Sequence, residues 1–95
     1  MDKIIKTTGE VIETTPANGK YYELEELQNI VGGYIEIVDL GKGKIMVINE
    51  EGKFTCRPNI KATKIFKNAM SDLYGIGTQD YIAGDALICE SKEVK

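Results

Sequence analysis

The sequence predicts an α+β domain: a small, mostly antiparallel sheet of about five strands with two short helices, in the order ββαββαβ. Three observations predict it. Short β-branched runs are punctuated by glycine turns between residues 3 and 14 and between 34 and 49. Apolar residues recur with helical spacing at 24, 27 and 31, and again at 62, 65, 66, 69, 70 and 73. The two kinds of segment follow one another as paired strands and single helices, and the expected arrangement packs both helices against one face of the sheet.

Residues 3–7 and 10–14 are β-branched and partly alternating, with Thr8-Gly9 between them, which reads as a hairpin. Pro16-Ala17-Asn18-Gly19 fixes φ at proline and allows positive φ at Asn-Gly, so the chain turns before Lys20. From Tyr22 to Val31, Leu24, Leu27 and Val31 form one apolar stripe, and acids in the first turn suit the positive end of the helix dipole. Gly32 follows where left-handed helix termination favours glycine. Tyr34–Leu40 and Lys44–Asn49, joined by Gly41-Lys42-Gly43, form the strongest hairpin signal. Alternation along the first of these strands places Ile35 and Ile37 on one face and Tyr34, Glu36 and Val38 on the other. A turn over residues 49–53 leads to a short extended piece at Phe54. Asn59, after Pro58, is positioned to cap the second helix, whose core face is Ala62, Ile65, Phe66, Ala69, Met70 and Leu73 and whose outer face carries Lys61, Lys64 and Lys67. The segment Tyr81–Cys89 reads as a final strand bent at Gly84-Asp85, and residues 90–95 as a polar tail.

With 95 residues, 42% of them hydrophobic, the chain is expected to form a single domain spanning 1–95 with a modest core. No apolar run is long enough to span a bilayer and the first residues do not read as a signal peptide, so a soluble, cytoplasmic protein is expected. The absence of histidine removes Ser-His and Cys-His nucleophile pairs and nearly every zinc pattern, so no catalytic set, metal or cofactor is expected. The net charge of −3 argues against a protein built wholly to bind nucleic acid. It hides an asymmetry: residues 1–50 carry nine acids and five bases, whereas 52–71 carry Lys53, Arg57, Lys61, Lys64 and Lys67 with no acid. Cys56 and Cys89 form no metal motif and are expected to be reduced and buried, although Arg57 gives Cys56 part of an activating environment.

The blocks Leu24-Glu25-Glu26-Leu27-Gln28, Val31-Gly32-Gly33-Tyr34-Ile35-Glu36, Asn49-Glu50-Glu51-Gly52-Lys53, Pro58-Asn59 with Ala62-Thr63, and Gly84-Asp85-Ala86-Leu87-Ile88 run in order along nearly the whole chain. In these the sequence resembles a family of small uncharacterised domains, of unknown function, encoded by bacteriophages and mobile elements. The resemblance implies such an origin and no particular activity. Glu23 stands where that family usually has a hydroxyl residue, and Leu73–Thr78 lengthens the loop before Asp80.

Two constellations are candidate binding sites. Arg57, Lys61, Lys64 and Lys67 form a basic helix face that, with Asn59 and the free N–H groups of the helix start, can meet phosphates, unless it is an ordinary solvated face. Tyr34 and Glu36 offer a hydroxyl and a carboxylate on one sheet face, unless Glu36 simply pairs across the strands with Lys44 or lies opposite Met46. The first expectation is a non-enzymatic accessory protein that binds a host or element-encoded protein, using an exposed apolar patch or sheet edge that could also serve self-association as a homo-oligomer. The second is a binder of a phosphorylated small molecule or nucleotide through the basic helix face, with no membrane role. The last is an enzyme using Glu36 with Asp85 or Asp80 as acid and base. As a partner, nucleic acid ranks below a protein or a small anionic ligand, because no stacking platform of spaced aromatics is evident. Gly41-Lys42-Gly43-Lys44 lacks phosphate-loop spacing, and the acids lack EF-hand spacing.

Overall fold

β1 (Asp2–Ile5) and β2 (Val11–Thr14) form one hairpin, and β3 (Ile35–Gly41) and β4 (Lys44–Asn49) form another. Between them runs β5 (Ala86–Glu90), antiparallel to both β1 and β4, so the five-stranded sheet has the order β2-β1-β5-β4-β3. The computed structural model describes residues 1–94. The helices are α1 (Leu24–Val31), α2 (Gly52–Thr55) and α3 (Ile60–Tyr74), followed by one 3₁₀ turn over Ser91–Glu93. The predicted α+β class and its antiparallel sheet are therefore what the chain adopts, with one helix more than expected and an α3 of 15 residues. Among the described residues no helix is long and apolar enough to cross a membrane.

The helices do not share a face of the sheet. Ile45, Val47, Leu87 and Cys89 pack with Leu27 and Val31 of α1, whereas Met46, Ile48, Ala86 and Ile5 pack with Ala62 and Phe66 of α3. Neighbouring residues of a strand point to opposite faces, so the two helices cover opposite sides of the sheet. The physical reason stands in β4 and β5, whose Ile45–Ile48 and Ala86–Cys89 are apolar without interruption: strands buried on both faces read as continuous hydrophobic runs.

Local departures from the sequence expectation each have a cause. The first helix begins at Leu24, with Glu23 at its N-cap and the Glu23 N–H donating to Glu26 Oε1 at 3.4 Å; Leu24 overhangs into solvent, Leu27 and Val31 are buried, and Ile30 is half-buried beside them. Gly32 closes α1 in the left-handed conformation, as expected. Tyr22 lies outside the helix, fully enclosed, with its hydroxyl donating to Asp2 Oδ2 at 2.7 Å. Phe54 is helical: Phe54 N–H donates to the Glu51 carbonyl and Cys56 N–H to that of Gly52, closing one turn. A Cβ at Gly52 would stand 2.6 Å from the Ala83 carbonyl oxygen, so only glycine lets α2 approach that segment. The expected bent strand over 81–89 is strand only from Ala86, its earlier part making an isolated bridge between Ala83 and Pro58. The polar tail is ordered, and Val94 bridges to Tyr22 and packs against the α1 cluster; the expectation for residue 95 lies outside the described residues.

Asn59 caps α3 as expected, accepting from Ala62 N–H at 3.0 Å. Its amide group also donates to the carbonyls of Ile5 (2.8 Å) and Gly84 (2.9 Å), joining the start of α3 to the end of β1 and to the turn before β5. Of the predicted core face of α3, Ala62, Phe66 and Ala69 are buried, Ile65 and Met70 half-buried, and Leu73, at the open end of the helix, is exposed.

Candidate functional site: two cavities beside one helix

α3 crosses its face of the sheet and leaves a cavity on each side. The first, of about 410 Å³, opens toward β3. Its floor is apolar, formed by Val38, Ile48, Phe66 and Ile82, and its rim carries Glu36, Glu50, Asp80, Lys53 and Tyr81. Glu36 reaches this cavity because even-numbered residues of β3 share the α3 face with Val38 and Leu40. Asp80 and Tyr81 are brought there by the start of α3: Thr63 Oγ1 accepts from Ile82 N–H at 2.9 Å, and Asn59 N–H donates to the Ile82 carbonyl at 2.8 Å. The Lys53 ammonium, supplied by α2, donates to Asp80 and lies 5.1 Å from the centroid of the Tyr81 ring, within cation–π range. That hydrogen bond holds Lys53 above its usual range and Asp80 below the usual carboxylate range, and Glu36 adds a smaller attraction to Lys53. Three carboxylates against one ammonium leave the rim with a formal charge of −2.

The second cavity, of about 540 Å³, opens on the other side of α3, toward β1 and β2. Its apolar surface comes from Ile5, Val11, Ile65 and Ile88, and its rim from Lys3, Lys44, Lys61 and Lys64. No acidic side chain lines it. The Lys61 ammonium donates to the Gly9 carbonyl at 2.6 Å, which fixes it against the β1–β2 turn. Glu90, opposite Lys44 in the sheet, approaches Lys92 at 3.8 Å instead.

The six candidate residues from the sequence are thus distributed. Glu36 lines the acidic cavity, Lys61 and Lys64 the basic one, and Tyr34 a separate groove with Gly32 and Gly33 at the end of α1. Tyr34 and Glu36 are therefore not brought to one cavity. Asn59 is fully buried with both amide groups engaged inside the fold, so its role is to hold the backbone. Arg57 lines neither cavity, and its carbonyl accepts from Gly84 N–H. Glu36 lies opposite Ile48, not Lys44 or Met46, so the simple cross-strand ion pair does not form. Of its two proposed carboxylate partners, Asp80 shares its cavity, while Asp85 binds Lys6 at 3.0 Å and accepts from Thr7 N–H at 3.0 Å, locking the end of β1. Lys3, Lys44, Glu50 and Tyr81 have no sequence signal marking them as site residues, because they are gathered from separate elements, and Lys53 is marked only as the start of the basic stretch, although it joins the acidic cavity. Among the described residues no group of three or more His, Cys, Asp or Glu side chains is placed to hold a metal ion. Cys89 is buried beneath α1, where desolvation pushes its thiol up to about 12, and Cys56 is half-buried.

Fold and cavities together define a small α+β domain with a helix on each sheet face and two open, oppositely charged recesses. The chain belongs to the family of the DUF3846 domain of unknown function, whose model matches residues 2–94. Comparison with curated proteins and with solved structures gives no match.

Proposed function

We propose that this domain is a non-enzymatic binding module that captures an extended, basic segment of another protein as a sixth strand along β3. The observation that carries the reading is the open edge of β3 beside the acidic cavity. Tyr34 accepts from Glu50 N–H across the β3–β4 ladder, so by antiparallel alternation the backbone groups of Ile35 and Ile37 point away from β4 toward solvent. β3 contains neither proline nor lysine to guard that edge, and Ile37 is 48% exposed. A strand added there gains main-chain hydrogen bonds, and its side chains on the α3 face fall beside Glu36, Glu50 and Asp80, which select for lysine or arginine. On this reading the partner is a host protein or one encoded by the same phage or mobile element, met in the cytosol, in keeping with the sequence blocks described above.

The test is amide chemical-shift mapping with two synthetic peptides, one alternating lysine and valine and one alternating glutamate and valine. The expected result is saturable shifts at residues 34–39 with the basic peptide alone. Replacing Ile37 by proline removes one edge donor, a change an edge strand tolerates, and should abolish those shifts while the thermal midpoint stays within a few degrees. Equal binding of both peptides, or shifts confined to other elements, would overturn the reading.

A further inference from the structure

We infer that the lysine-rimmed cavity is a second binding site, independent of the β3 edge, and that its ligand is a phosphomonoester carried on an aliphatic body. The charge is the first argument. In a chain of net charge −3, four ammonium groups from β1, β4 and two turns of α3 surround one recess that no carboxylate lines. Among the described residues Lys3, Lys44 and Lys64 form no salt bridge, even though Glu13 and Glu90 lie opposite Lys3 and Lys44 in the ladders. A phosphomonoester, with a charge of about −1.5 to −2 at neutral pH and three acceptor oxygens, matches several converging ammonium donors better than a carboxylate does.

The second argument is the surface between the lysines. Ile5, Val11, Ile65 and Ile88 are aliphatic, and the cavity contains no aromatic ring. A nucleobase would find nothing to stack on, whereas an alkyl chain would exchange water for branched aliphatic contacts. The volume of about 540 Å³ is that of a small-molecule site. Lys61 adds preorganisation, since its bond to the Gly9 carbonyl uses one ammonium donor and leaves two. Its neighbour in the rim, Lys64, lies one helical turn further along α3.

The experiment is titration calorimetry of the full chain with monooctyl phosphate below its micelle concentration, with inorganic phosphate and octyl glucoside as head-only and tail-only probes. Monooctyl phosphate should bind saturably, and each half-probe at least about tenfold more weakly. Lys44→Gln and Lys64→Gln should each weaken monooctyl phosphate about tenfold, the worth of one charge-assisted contact, with the thermal midpoint unchanged. Glu36→Gln, on the other side of α3, should leave that affinity unaltered. No binding of monooctyl phosphate, equal binding of inorganic phosphate, or full affinity in both lysine variants would overturn the proposal. So would sedimentation with phosphatidylglycerol vesicles without binding of the monomeric ester, which would assign the lysines to a membrane surface.

Discussion

The two cavities beside α3 share a helix, a sheet face and an apolar floor, yet one rim is acidic and the other is made of lysines. Adjacent residues of α3 set the division: Phe66 faces the acidic cavity and Ile65 the basic one. The sheet does the rest, because β3 and the 80–83 segment bring carboxylates to one side while β1 and the start of β4 bring lysines to the other. Rim chemistry here follows from which distant elements the topology places together, whereas the floor follows from the periodicity of one helix.

The largest expected effect separates the two floors. Phe66→Ala should cost about 3–5 kcal/mol, because the ring is buried in the cluster that joins α3 to the sheet. Ile65→Ala, half-buried at the neighbouring floor, should cost only about 1–2 kcal/mol. Denaturant unfolding of both variants measures the difference, and equal losses would show that the cavities are not divided between these side chains. Asn59→Ala should cost about 2–4 kcal/mol through the lost cap and two buried carbonyls left without a donor. Because those carbonyls belong to Ile5 and Gly84, hydrogen exchange should rise both at the end of β1 and in the turn before β5; a rise in one of the two alone would mean that Asn59 does not join them.

Smaller effects belong to the far face of the sheet. Cys89, pushed up to about 12 by burial, should resist thiol reagents at pH 8 in the folded protein while Cys56 reacts, both becoming reactive on unfolding. Desolvation also raises the Tyr22 hydroxyl above its usual range, and its bond to Asp2 reinforces the shift. Both groups hold their protons more tightly folded than unfolded, so the Cys89 contribution to stability is complete below its ordinary value of 9.0 and is lost as pH rises through about 12, while that of Tyr22 begins to fall only above its ordinary value of 10.0 and is lost at still higher pH. Thermal midpoints should therefore fall from pH 9 upward, and a flat profile to pH 11 would contradict the burial assigned to this face.

Much of the fold was legible because it is local. Periodicity located α3 and its cap, glycine marked the end of α1, and alternation placed Glu36 on the same face as Val38. The choice of sheet face for each helix was recorded only in the uninterrupted apolar runs of β4 and β5, a pattern that departs from the alternation of a half-exposed antiparallel strand. Sequence spacing places Tyr22 with the helix it precedes, because its partners Asp2 and Val94 lie near opposite ends of the chain. Of the candidate site residues, Lys61 and Lys64 were legible as a helix face, but Lys3 and Lys44 join them only through the crossing of β1, β5 and β4. Arg57 and Asn59 stand just before the same helix in sequence and so read as part of its basic face, although one lines neither cavity and the other is spent on backbone carbonyls.

The position of β5 has a consequence for synthesis on the ribosome. The last strand to leave the exit tunnel is the central one, so the nascent chain carries two hairpins with nothing between them until residues 86–90 emerge. Isolated two-stranded hairpins are marginal in water, so the stability of the sheet depends on contacts that β5 makes with residues far from it in the chain. Until then both hairpins expose edges that β5 will later cover, and a stalled translation product would present them to chaperones and proteases as unpaired strands.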